Sequence, residues 1–200
     1  MPQPAKEFQM SKKILGPLSA GAVALAIALP GISHAADGTI DFNGEVVSQT
    51  CTINGNNTGK SDFTVTLKSV PASALKKDGD FAERTPWTIA LTNCTPASGN
   101  VTVYFEPGPQ VDFNTGRLKN STGTATNGKA FATNVEVGLL NSGFQPITLG
   151  NDPSTQGADV VAIGADGTAT LKFYAQYVAT GGAATPGPVQ TQVMYTLNFS

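Results

Sequence analysis

Val193-Met194-Tyr195-Thr196-Leu197-Asn198-Phe199-Ser200 closes the sequence, and its reading decides the fold. Val193, Tyr195, Leu197 and Phe199 fall on one side of an extended chain, Thr196 and Asn198 on the other. A period of two marks a half-buried β-strand. Nearer the other end, Gly38-Thr39-Ile40-Asp41-Phe42-Asn43-Gly44-Glu45-Val46 repeats the pattern, with Ile40, Phe42, Gly44 and Val46 on one face. Free apolar strands near chain ends are an aggregation hazard that soluble proteins ordinarily blunt. A chain that keeps two of them reads as an assembling protein rather than an enzyme.

Between these strands, short alternating segments recur between turn signals. Phe63-Thr64-Val65-Thr66-Leu67 alternates, residues 69–80 break the pattern, and Trp87-Thr88-Ile89-Ala90-Leu91 resumes it toward Cys94. Val101-Thr102-Val103-Tyr104-Phe105 follows, and residues 110–130, rich in Asn, Thr and Gly, read as a long surface excursion. Val135, Val137 and Leu139 mark another strand, Pro146 flanks a further one near Ile147, and residues 168–178 form the longest candidate. Residues 180–188, dense in Gly, Ala and Pro, link it to the terminal strand. Many short strands between turns predict an all-β sandwich of immunoglobulin type.

Residues 1–35 read as a secretory signal peptide. Lys12 and Lys13 form its basic region, residues 14–29 its apolar stretch, and Ser33-His34-Ala35 a cleavage site after Ala35. A membrane anchor is the competing reading, but Gly16, Pro17 and Gly21 interrupt a run shorter than the roughly 20 residues a span needs. Translation from Met10 would keep every element of the signal. The mature chain of 165 residues has nine basic and thirteen acidic side chains, so no basic stripe marks it for nucleic acid. Cys51 and Cys94, on an exported chain, are expected to form one disulfide; two free thiols are the alternative.

Chemistry-bearing residues are sparse. The only histidine, His34, leaves with the signal, which removes the usual general base and a common zinc ligand. Asp78, Asp80 and Glu83 sit among Lys76, Lys77 and Gly79 in what reads as a hydrated turn. Asp152, Asp159 and Asp166 lack the dense spacing of a calcium loop. The glycosylation triplets at Asn56, Asn120 and Asn198 are a pattern common by chance. No catalytic residue, cofactor or metal is expected.

These residues together resemble pilins of the chaperone–usher type, especially the major subunit of type 1 fimbriae. The likeness rests on the signal, the strand at residues 38–47 and Cys51 shortly after it. It rests also on Cys94 in Ile-Ala-Leu-Thr-Asn-Cys, the run Tyr-Val-Ala-Thr-Gly-Gly-Ala-Ala-Thr-Pro-Gly at 177–187, Gly187 fourteenth from the end, and the penultimate aromatic Phe199. The family usually has Tyr at that last place. The resemblance implies an incomplete immunoglobulin-like sandwich over residues 48–200, completed by a donor strand from the next subunit. Residues 36–47 would be that donor, seating Ile40, Phe42, Gly44 and Val46. Gly187, Val193, Tyr195, Leu197 and Phe199 would form the groove edge that first meets a periplasmic chaperone. An outer-membrane usher and identical or related subunits are the further implied partners. The implied product is a fimbria on the bacterial surface, reached through the periplasm and supporting adhesion. A minor tip or adaptor pilin is the alternative; a two-domain adhesin would need a lectin domain for which 165 residues leave no room.

Overall fold

The computed structural model describes residues 50–200; the signal and the proposed donor segment lie outside them. Ten strands run in chain order as β1 (Thr50–Gly55), β2 (Phe81–Thr95), β3 (Asn100–Phe105), β4 (Val111–Asp112), β5 (Arg117–Lys119), β6 (Val135–Leu140), β7 (Pro146–Ile147), β8 (Val160–Ala162), β9 (Ala169–Ala179) and β10 (Tyr195–Phe199). Among the described residues the one helical turn is a 3₁₀ turn, Ala72–Ala74. One sheet has the order β1-β2-β9-β6-β5-β4 with β7 added on β6, and the other has the order β10-β3-β8; every pairing is antiparallel. The expected all-β sandwich is present.

The core follows from the alternation. Trp87, Ile89 and Leu91 of β2, Leu171, Phe173 and Ala175 of β9, and Val101, Val103 and Phe105 of β3 all turn inward and are buried. Trp87 stacks on Phe173 with ring centroids 4.5 Å apart, and Phe105 meets both rings edge-on at 6.1 and 5.7 Å. Each such side chain stabilises the fold by roughly 1.5–3 kcal/mol through burial alone. Gln156 is wholly buried: Phe105 N–H donates to its Oε1 at 2.8 Å, and its Nε2 donates to Phe105 O at 2.9 Å. The side-chain amide replaces a missing neighbour strand where β8 no longer flanks β3.

The structure corrects three readings. Residues 110–130 are not wholly an excursion: β4 and β5 make a hairpin whose Val111 and Leu118 enter the core. Strands of two and three residues are too short to show a period. Residues 63–67 do alternate between half-buried and exposed, but they join no ladder. β2 also starts earlier than Trp87, because an irregularity between Ala82 and Thr85, with Glu83 at φ 56°, lets it resume pairing with β9.

Cys51 and Cys94 are bonded to each other across the β1–β2 pair. The bond closes a loop of 43 residues, which the chain-entropy account values at about 4 kcal/mol. Cys94→Ser is therefore expected to lose several kcal/mol in denaturant unfolding; an unchanged midpoint would contradict this. Gln156→Leu strands two buried backbone groups of Phe105 and is expected to cost about 2–4 kcal/mol, read in the same experiment.

Candidate functional site

A long apolar groove opens on one side of the sandwich. Its walls are residues 61–67 and residues 189–195, and its floor is made by Trp87, Phe105, Leu118, Val137, Leu139 and Ala175. This main section has a volume of about 880 Å³. The walls are equally long and run antiparallel: Tyr195 meets Ser61, while Leu67 and Val189 both pack on the small cluster around Tyr177 and Ala179 at the other end.

Extended backbone next to a core normally has a neighbour on each side, because unpaired N–H and C=O groups are costly where water is scarce. Here that rule is suspended. Residues 62–70 make no backbone hydrogen bond to any other described residue. Thr191, Gln192 and Val193 on the facing wall likewise make none. Two buried polar atoms of groove residues, Trp87 Nε1 and Thr191 Oγ1, also lack a partner among the described residues. Alternation puts Phe63, Val65 and Leu67 against the core and leaves Thr64 and Thr66 exposed. The groove offers hydrogen-bonding edges on both sides and apolar space beneath.

Past Tyr195 the gap continues as a second hollow of about 490 Å³, lined by Thr50, Cys51, Ile53, Leu197 and Phe199. It lies between β1 and β10, the outermost strands of the two sheets. Ser61, Asp62 and Tyr195 belong to both hollows. Burial, and then the nearby Asp62 carboxylate, holds the Tyr195 hydroxyl above its ordinary pKa. It therefore keeps its proton and donates to Ser61 O at 2.9 Å.

The expected edge residues occupy distinct places. Val193 and Tyr195 line the main section, and Leu197 and Phe199 line the second hollow. Gly187 is outside both linings. A Cβ there would come within 2.5 Å of Ala130 O and Ala132 N, so only glycine lets the chain lie flat on that backbone. Ile40, Phe42, Gly44 and Val46 lie outside the described residues. Sequence reasoning missed the first wall and also Asn120. The Asn120 amide donates to Ala132 O at 2.8 Å and Pro188 O at 3.1 Å, and its oxygen accepts from Gln190 N–H at 2.8 Å. It ties the second wall to the body through a side chain whose type carried no such signal.

Most of the carboxylates that drew attention in the sequence accept backbone N–H groups, and Glu83 pairs with Lys68 at 3.4 Å. Asp80 accepts from the Lys76 and Lys77 backbone, Asp78 from Gly181, and Asp166 from Thr168. Among the described residues no three His, Cys, Asp or Glu side chains converge as a metal would require.

The family model described as FimA, type-1 fimbrial protein, matches residues 67–200. The chain belongs to that family. It is 44% identical over 173 residues to the major fimbrial subunit SMF-1 of Stenotrophomonas maltophilia, covering 86% of this chain and 98% of that protein. It is 43% identical over 179 residues to the F17 fimbrial protein of Escherichia coli, covering 88% and 94%. The P pilus rod subunit PapA shares its fold, with a TM-score of 0.55 and 19% identity over 75% of this chain and 99% of that one. The protein is a structural pilin subunit of a fimbria, and its relatives are structural proteins rather than enzymes.

Asn120→Ala removes all three bonds of that side chain. At about 1 kcal/mol net for each bond, it is expected to lower unfolding stability by about 2–3 kcal/mol. A midpoint equal to the parent's would show that the second wall does not hang on this residue.

Proposed function

We propose that the groove accepts a β-strand from another copy of this chain, and that residues 36–47 are the strand given. The observation that carries the reading is the pair of seven-residue walls, poor in backbone partners, over an apolar floor. A strand rises about 3.3 Å per residue, so each wall spans roughly 20 Å. Ile40 to Val46 is also seven residues and offers apolar positions at every second place. Strand addition uses the backbone for affinity and alternate pockets for specificity, and chaperone–pilin complementation is an established instance of it.

On this reading residues 1–35 are the signal, residues 36–47 the donor and residues 48–200 the accepting body. A periplasmic chaperone fills the groove first, with Val193, Tyr195, Leu197 and Phe199 along the edge it meets and Gly187 setting the start of that edge. The donor of the next subunit replaces the chaperone strand at an outer-membrane usher. Giving at one end and receiving at the other is a heterologous contact that does not close, so it propagates as a helical filament on the bacterial surface.

Deleting residues 36–47 is expected to leave a subunit that accepts a strand but cannot give one, and that caps growing fimbriae when co-expressed with the parent. Gly44→Arg places a long charged side chain where burial of an unpaired charge is costly, and is expected to abolish fimbriae in electron micrographs; Asp41→Ala should be tolerated. A peptide of residues 36–47 should raise the melting temperature of the deleted subunit, because a ligand of the folded state stabilises it. Normal fimbriae from Gly44→Arg cells, with no thermal shift from the peptide, would overturn the donor assignment.

A further inference from the structure

The outer face of the larger sheet carries a cluster of side chains that the groove does not involve. Leu171, Phe173 and Ala175 of β9 are buried in the core, so Lys172, Tyr174 and Gln176 face outward. Two residues of β2, Glu83 and Arg84, stand opposite the single Gln176, a β-bulge of the kind that re-aims a side chain. Arg84 lies on the outer face, where its Nε donates to Gln176 Oε1 at 3.1 Å. Its guanidinium carbon lies 5.0 Å from the centre of the Phe81 ring and 4.9 Å from that of Phe144. Phe144 in turn packs on Tyr174 with ring centroids 4.5 Å apart. Phe144 sits in the turn between β6 and β7 at φ 62°, a conformation that strains a bulky residue. Asn141 Oδ1 pins that turn, accepting from the Gly143 and Gln145 N–H groups at 3.0 Å each. The two backbone departures, at Glu83 and Phe144, thus meet at one exposed group of rings around one cation.

Charge and size say what fits this face. The chain has more acidic than basic side chains, yet the cations here, Arg84 and Lys172, have no carboxylate in ion-pair reach among the described residues. The terminal nitrogens of Arg84 bond to no described residue, and the rings and Gln176 hold its plane in place. Such a planar fork matches a carboxylate. At 56% and 43% exposure, Phe81 and Phe144 together show about 200 Å² of ring. A stable protein contact buries roughly 800 Å² a side, so this patch suits a smaller unit. Thr88 and Thr170 beside Lys172 add hydroxyls on the same face. Rings for the apolar face of a sugar, a fork for its carboxylate and hydroxyls nearby are the chemistry of an acidic sugar. One such site is weak, but a fimbria repeats it in every subunit, and a ligand that repeats its carboxylate gains by avidity. We propose that this outer face binds an acidic polysaccharide. Arg84 holds the carboxylate of one sugar unit, Phe81 and Phe144 carry its ring, and Lys172 meets the charge of a neighbouring unit.

The test uses purified fimbriae of the parent and of two variants, Arg84→Gln and Phe144→Asn. Asparagine accepts the left-handed backbone, so the second variant removes the ring without adding strain. Each is titrated with fluorescent polygalacturonate, with neutral dextran, and with polyglutamate, which carries the charge without the sugar. Parent fimbriae are expected to bind polygalacturonate at least tenfold more tightly than either other polymer, and less tightly as salt is added. Arg84→Gln is expected to weaken that binding at least tenfold, the size one charge-assisted hydrogen bond carries. Phe144→Asn is expected to weaken it about fivefold through lost apolar contact. Both variants are expected to assemble as the parent does; should one fail to, the other decides. Polygalacturonate bound by the parent no better than dextran, or bound equally by parent and Arg84→Gln, would overturn the proposal. Polyglutamate bound as tightly as polygalacturonate would reduce the contact to charge and overturn the saccharide assignment. Loss of fimbriae in both variants would assign this face to packing between subunits and overturn the proposal as well.

Discussion

A β-sandwich hides its core only when every strand position along its sides is filled, and among the described residues this one leaves a position open. Residues 61–67 and 189–195 lie extended on either side of the gap, above Trp87, Phe105, Leu118 and Val137. Both deficits, the half-exposed apolar side chains of the walls and their unpaired backbone, have the same remedy: one more strand with an apolar residue at every second place. Burial supplies about 25 cal/mol per Å² of apolar area, and a strand adds its ladder bonds to that.

Other described residues hold the walls in place, with no described strand between them. The Cys51–Cys94 bond fixes β1 to β2 beside the second hollow, and Gly55 at the end of β1 gives Phe63 its seat. On the far side, Asn120 and the close approach at Gly187 clamp residues 187–190 to the segment around Ala132. Gln156 covers the edge of β3 at Phe105 from the side where β8 has ended.

Legibility in the sequence tracked the length of the alternation. The runs ending at Phe199, Leu91, Phe105 and Val178 gave their strands directly, since five or more residues of period two leave little choice of face. Val111 and Leu118 sat in strands too short to register, amid Asn, Thr and Gly that pointed to loop. Phe63, Val65 and Leu67 were legible as extended chain but not as a wall, because alternation reports which face is buried and says nothing of a neighbour. Gly187 was legible as a marked position without its reason, the backbone pressed against it. The bonds of Asn120 to Pro188 and Gln190 and of Tyr195 to Ser61 join residues 68 to 134 positions apart, beyond any local pattern.

The central claim is that a second copy of this chain fills the gap. The most direct test is an electron cryomicroscopy map of the assembled fimbria at side-chain resolution. The account predicts continuous density for residues 40–46 of one subunit lying between residues 61–67 and 189–195 of its neighbour, with Ile40, Phe42 and Val46 turned to the floor. A map in which that gap is empty, or is filled by the subunit's own residues 40–46, would contradict it.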